Sequence, residues 1–131
     1  MCSKTIQKNR KQSAEIQSNR CFYCNFPIWH QTNKQQFIQR YNLTPKQAKW
    51  LQCTAEHLTA RCDGGDNRQE NIVAACRYCN QKRHQYTAPP APDAYRSLVT
   101  KRVSKNKWFP NSLAERLTSS HNSPHNKNVS N

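Results

Sequence analysis

The chain has 131 residues, the length of one domain, and only 34% of them are hydrophobic, with a mean hydropathy of −1.10; a core this small generally needs a staple. Its formal net charge of +14, from 21 Lys and Arg against 7 Asp and Glu, favours a polyanionic partner, and without a strongly amphipathic basic helix nucleic acid is expected rather than a membrane surface. No stretch approaches the ~20 apolar residues that span a bilayer, and the charged opening MCSKTIQKNRKQSAEIQ lacks the apolar run of a signal peptide. A soluble, cytoplasmic protein is therefore expected, whose seven cysteines are reduced and open to metal binding rather than paired as disulfides.

In chain order, residues 1–18 carry Lys4, Lys8, Arg10 and Lys11 but few groups to pack, which predicts a basic, flexible arm or a frayed helix. The stretch LTPKQAKWLQ predicts a helix over 45–52: Thr44 can cap, Pro45 fits the first helical position, and Gln47 completes a Thr-x-x-Gln capping box. Trp50 and Leu51 should face inward. Residues 53–58 suit a short strand, CDGGDN is a turn-rich loop, and NIVAAC has the β-branched content of a second strand. Together these predict a hairpin, with NQKRHQY forming a helix after it until the prolines of TAPPAP intervene. Residues 93–117 contain two weakly helical pieces, YRSLV and SLAERL, around KNKWFP. The expected organisation is an arm at 1–18, a domain at 19–88, a packed extension at 89–118 and a disordered tail at 119–131.

Cys21-Phe-Tyr-Cys24 and Cys76-Arg-Tyr-Cys79 are two C-x₂-C pairs, each able to present two sulfurs to one ion from a single turn. Together they predict a tetrahedral four-cysteine zinc site. Four thiolates leave no open coordination position, so this zinc should be structural. The 51 residues between the pairs must loop out and return. Cys2, Cys53 and Cys62 have no partner at ligand spacing and are expected to be small core or surface thiols.

Between and across these pairs runs EHLTARCDGGDNRQENIVAACRYCNQKRH. This segment resembles the HNH endonuclease family through Glu56-His57 at a strand end, Gly64-Gly65 in the loop, Asn71 opening the second strand, and Cys76-x₂-Cys79-Asn80 leading into Lys82. The resemblance implies a small α+β fold with a ββα-metal (HNH, His-Me finger) motif, stapled by the zinc site and extended by further helices. It also implies a metal-dependent endonuclease that hydrolyses phosphodiester bonds in DNA, with RNA still open. By position His57 is the general base, Glu56 and Asn80 hold a catalytic Mg²⁺ or Mn²⁺, and Asn71 ties down the loop carrying His57. Glu56 stands where the family more often has Asp, which leaves the metal's identity open. His84, one helical turn beyond Asn80, is the alternative metal ligand.

The chemistry joins these residue types. Phosphodiester hydrolysis needs an activated water and a cation that stabilises developing charge; a neutral imidazole can take the proton, and oxygen donors suit a hard divalent ion. Gly64 and Gly65 are expected to supply positive φ in the loop. Arg61, Arg68, Arg77, Lys82 and Arg83 are candidate contacts to flanking phosphates. Lys101, Arg102, Lys105 and Lys107 form a second basic cluster beside Trp108, whose expected place is in the core. The alternative to a nuclease is a non-catalytic, zinc-dependent nucleic-acid-binding module, which leaves the Glu-His pair unexplained.

Overall fold

The computed structural model describes residues 4–30, 33–110 and 113–121, with side chains described as far as residue 117. Among the described residues six α-helices and one hairpin follow in the order α1 (Lys4–Ile16), α2 (Lys34–Tyr41), α3 (Pro45–Trp50), β1 (Cys53–His57), β2 (Ile72–Cys76), α4 (Arg77–Arg83), α5 (Pro92–Ser104) and α6 (Leu113–His121). Cys2 and residues 122–131 of the expected tail lie outside the described residues, whereas residues 119–121 continue α6.

The hairpin is antiparallel, and its register runs from Cys53 opposite Cys76 to His57 opposite Ile72. Several of the side chains that turn from β1 and β2 towards the interior are small, with Ala74, Ala75 and Cys76 fully buried, which lets helices approach on both faces. Helix α3 carries the full capping box: Thr44 Oγ1 accepts from the Gln47 amide at 3.1 Å, and Gln47 Oε1 accepts from the Thr44 amide at 2.9 Å. Leu51 is completely buried, but Trp50 is only half-buried, its ring edge-on to Tyr78 at 5.8 Å. Helix α4 begins at Arg77, three residues earlier than the sequence suggests, because Cys76 Sγ caps it by accepting from the Cys79 amide. Helix α2, not expected from the sequence, is flanked by Asn33 and by Asn42 at positive φ, and it packs Tyr41 inward.

The opening segment is the largest departure from the expected arm. Residues 4–16 form a helix docked on the hairpin, burying Ile6, Asn9, Ser13 and Ala14. What holds it is polar. Ser13 Oγ donates to the Ile72 carbonyl at 2.6 Å, and Gln69 Nε2 donates to Ser13 Oγ at 2.6 Å. The Gln17 amide bonds both the carbonyl and the N–H of Ala74, at 2.8 and 3.0 Å. The composition of the segment therefore misleads: a buried face of Asn, Ser and Gln has no apolar signature, yet it satisfies backbone groups that would otherwise be stranded.

Helices α5 and α6 close the other side. Tyr95 and Val99, one turn apart on α5, are completely buried, and Tyr95 donates to the Cys79 carbonyl at 2.6 Å. Trp108 is a core residue, as expected, 9% exposed. Cys53 is buried and Cys62 exposed; burial pushes the Cys53 thiol up to about 11, so it behaves as a neutral core side chain at neutral pH. Among the described residues no helix is long and apolar enough to cross a membrane.

Candidate metal centre and active site

The segment around Cys21 and Cys24 is a tight turn closed by the Cys21 amide donating to the Phe26 carbonyl at 2.9 Å, with Asn25 at positive φ. It is laid against β2 by the Phe22 amide, which donates to the Ala74 carbonyl at 2.9 Å. Because Cys76 ends β2 and Cys79 sits in the first turn of α4, both pairs converge. The four Sγ atoms, all buried, lie within 4.8 Å of one another, and Cys24 and Cys76 are 3.9 Å apart. A tetrahedron with Zn–S bonds of ~2.3 Å has sulfur–sulfur edges of about 3.8 Å, so the cluster is compatible with zinc.

The cluster's surroundings suit thiolates. Backbone amides of Cys76 and Tyr23 point at Cys21 Sγ at 3.2 and 3.3 Å, and Trp108 Nε1 donates to Cys79 Sγ at 3.3 Å. Burial pushes the Cys24, Cys76 and Cys79 thiols up. For Cys21 burial acts in the same sense, but hydrogen bonding with Cys24, Cys76 and Cys79 outweighs it and holds the thiol well below its usual range. A divalent cation, when bound, would keep all four deprotonated.

The second constellation lies at the other end of β1. The pleat sends Glu56 and His57 to opposite faces. Glu56 turns under α4 and is 2% exposed. Its Oε2 accepts from Arg83 Nη1 and from the Tyr23 hydroxyl, both at 2.9 Å, and its Oε1 lies 3.0 Å from His84 Nε2. Burial first, and then the carboxylate beside it, push the Tyr23 phenol well up, so it stays a donor. The His84 side chain is half exposed, so it stands between the buried carboxylate and solvent.

His57 faces the loop, and its Nε2 lies 2.9 Å from Asn67 Oδ1. An amide oxygen only accepts, so this contact puts the imidazole proton on Nε2 and leaves the Nδ1 lone pair available. Asn71 clamps the base of the loop: its Oδ1 accepts from the Thr59 amide at 2.8 Å, and its Nδ2 donates to the Thr59 and Asp66 carbonyls at 3.1 and 2.7 Å. Gly64 has φ of +90°; Gly65 does not share it and is required for another reason, since a Cβ there would run into the Thr59 carbonyl.

Asn80 sits apart from Glu56. Its Nδ2 donates to Thr54 Oγ1 at 3.0 Å and to the Ala55 carbonyl at 3.3 Å. Arg83 is not a surface contact for phosphate: it is 7% exposed, ion-paired to Glu56, and its Nε and Nη2 both donate to the Pro90 carbonyl. Arg77 is half-buried against Gln52. Arg61 and Lys82 are exposed, and Arg68 is exposed with an ion pair to Asp66 at 3.3 Å. Asn67, Tyr23 and Arg83's pairing were missed from the sequence. Asn67 lies in a loop rich in turn residues, and Tyr23 sits between Cys21 and Cys24, whose spacing is the sequence signal there.

The family model for HNH endonuclease matches residues 43–86, a stretch that runs from the approach to α3 through the hairpin and α4. No curated protein and no solved structure matches the chain. Residues 43–86 are thus similar to an HNH endonuclease domain, and the small α+β fold, with its hairpin, α4 and four-cysteine cluster, is consistent with the ββα-metal architecture. This similarity supports a nuclease-type function in general, since HNH domains typically act on nucleic acid.

Proposed function

We propose that the protein is a metal-dependent endonuclease hydrolysing phosphodiester bonds in DNA, in which His57 accepts the proton of the attacking water at Nδ1. The observation that carries this reading is the division of labour across one peptide bond: Glu56 is turned towards α4 and His84, while His57 is held by the loop with one nitrogen occupied and the other available. A general base needs a fixed tautomer, and Asn67 supplies it. Asn71 acts as a positioning residue by fixing the loop on which Asn67 stands.

Glu56 Oε1 and His84 are the groups that would hold a divalent cation, and that ion when bound would stabilise negative charge on the phosphate and the leaving oxygen. An imidazole donor moves the preference from Mg²⁺ towards first-row ions such as Mn²⁺. Asn80, bonded to β1, is the less favoured ligand. The four cysteines hold a structural zinc.

One observation favours a second reading, a zinc-dependent nucleic-acid-binding module without catalysis: Arg83 already neutralises Glu56. Supercoiled plasmid incubated with Mn²⁺ or Mg²⁺ separates the two. Nicked or linear product from the native chain, absent with His57→Ala, supports the nuclease. Salt-sensitive binding without product under either ion establishes the binding module instead, and a parallel incubation with RNA decides the substrate.

A further inference from the structure

Helix α4 presents a second face, away from Glu56. Tyr78 and Lys82, one turn apart on it, line an open cavity of about 370 Å³ together with Tyr86, Arg102, Lys107 and Trp108. Three cations surround this groove, no acidic residue lines it, and none of the three meets a carboxylate among the described residues. Its floor is rigid. The Tyr78 hydroxyl donates to the Trp108 carbonyl at 3.0 Å, the two rings meet edge-on at 5.7 Å, and Lys82 Nζ lies 5.4 Å above the Tyr78 ring.

At the rim stands Tyr86, 43% exposed, one of two large exposed hydrophobic side chains among the described residues. Its ring is steadied edge-on by Tyr95 at 6.4 Å, and it lies two residues beyond His84. Unneutralised cations around a fixed, exposed ring match a strand whose phosphates meet the cations while an unpaired base stacks on the ring. The groove is open and has room for one nucleotide.

We propose that this groove is a subsite for an unpaired nucleotide of the bound strand, on the face of α4 away from the cut, so that the protein favours DNA that carries a single-stranded or splayed segment. The inference rests on the nuclease reading only for calling that strand a substrate. The cations supply affinity that falls with salt, and Tyr86 supplies the preference for unpaired over paired bases.

The test uses the full-length His57→Ala chain, which binds without cutting, with a fluorescent single-stranded oligonucleotide and a duplex of the same sequence. Tyr86→Ala is expected to weaken single-strand binding about tenfold or more with a much smaller effect on the duplex, and Tyr86→Phe is expected to restore it. A combined Lys82→Ala, Arg102→Ala, Lys107→Ala variant should flatten the salt dependence for the single strand. Equal losses for both DNAs in Tyr86→Ala, or no loss, overturn the subsite. Plasmid cleavage by the native chain reports separately on the nuclease itself, so either conclusion can fall without the other.

Discussion

His57 and Asn67 form a hydrogen-bonded pair at 2.9 Å, and Asn67 is gripped from behind, since Asn9 Nδ2 on α1 donates to its carbonyl at 2.6 Å. The proposed base is thereby fixed by a residue ten positions away and, through it, by a helix outside the HNH segment. Removing the amide should free the ring to change tautomer and orientation. Asn67→Ala is expected to lower kcat about 10- to 100-fold, the usual range for a lost orienting partner, with little change in KM. Asn67→Asp should keep the contact but favour the protonated imidazole, moving the acid limb of the rate–pH profile upward. A uniform loss at all pH values in Asn67→Asp would assign Asn67 a merely structural role.

Arg83 offers a sharper thermodynamic contrast. A phosphate contact on the surface could be truncated with little effect on stability, whereas Arg83→Ala leaves the Glu56 carboxylate buried without its cation. The expected cost is about 3–5 kcal/mol, read as a lowered denaturation midpoint. Unchanged stability with weakened DNA binding would return Arg83 to the surface role that its sequence position suggests.

The metal ligands are distinguished by affinity. In the His57→Ala background, Mn²⁺ binding followed by calorimetry should weaken at least about tenfold in His84→Ala and less in Asn80→Ala. The reverse order would transfer the ligand role to Asn80.

The four-cysteine cluster should contain one zinc per chain by elemental analysis. Structural zinc contributes on the order of 10 kcal/mol in small domains, comparable with a whole domain's stability, so Cys79→Ser or exhaustive chelation should unfold the protein. Cys62→Ser, at an exposed position, should not. The ligands must be deprotonated to bind, so zinc-dependent stability should be lost as pH falls. A metal-free chain with native near-ultraviolet dichroism would disprove the requirement.

Docking of α1 can be probed at Ser13. Ser13→Val removes the donor to Ile72 and leaves Gln69 Nε2 with only its long bond to the Asn9 carbonyl at 3.4 Å, at an expected cost of about 1–3 kcal/mol. Thermal denaturation within error of the native chain would mean that α1 contributes little.

The elements legible in the sequence were those with local signals. Thr44, Pro45 and Gln47 announce α3; the turn residues between two β-branched runs announce the hairpin; and the two C-x₂-C pairs announce the cluster that joins residues more than fifty positions apart. What the sequence concealed depends on long-range polar pairing. Nothing local in Ser13 or Gln17 shows that their partners are the backbone of Ile72 and Ala74, and a charged residue such as Arg83 reads as surface until a buried carboxylate is found beside it. Asn80 and His84 illustrate the same limit: both face the hairpin, and only the side-chain geometry shows His84 beside Glu56.

The Gln17 side chain has a further consequence. A two-stranded sheet has two open rims, and unpaired backbone there is a template for joining another chain. The carboxamide of Gln17, donating to and accepting from Ala74, occupies the place of a neighbouring strand, while the Phe22 amide takes the same carbonyl. On the opposite rim the Cys53 amide is paired with the Trp29 carbonyl. A single glutamine thus helps to keep the hairpin of one molecule from recruiting that of the next, and its loss should appear first as self-association at high concentration rather than as a change in chemistry.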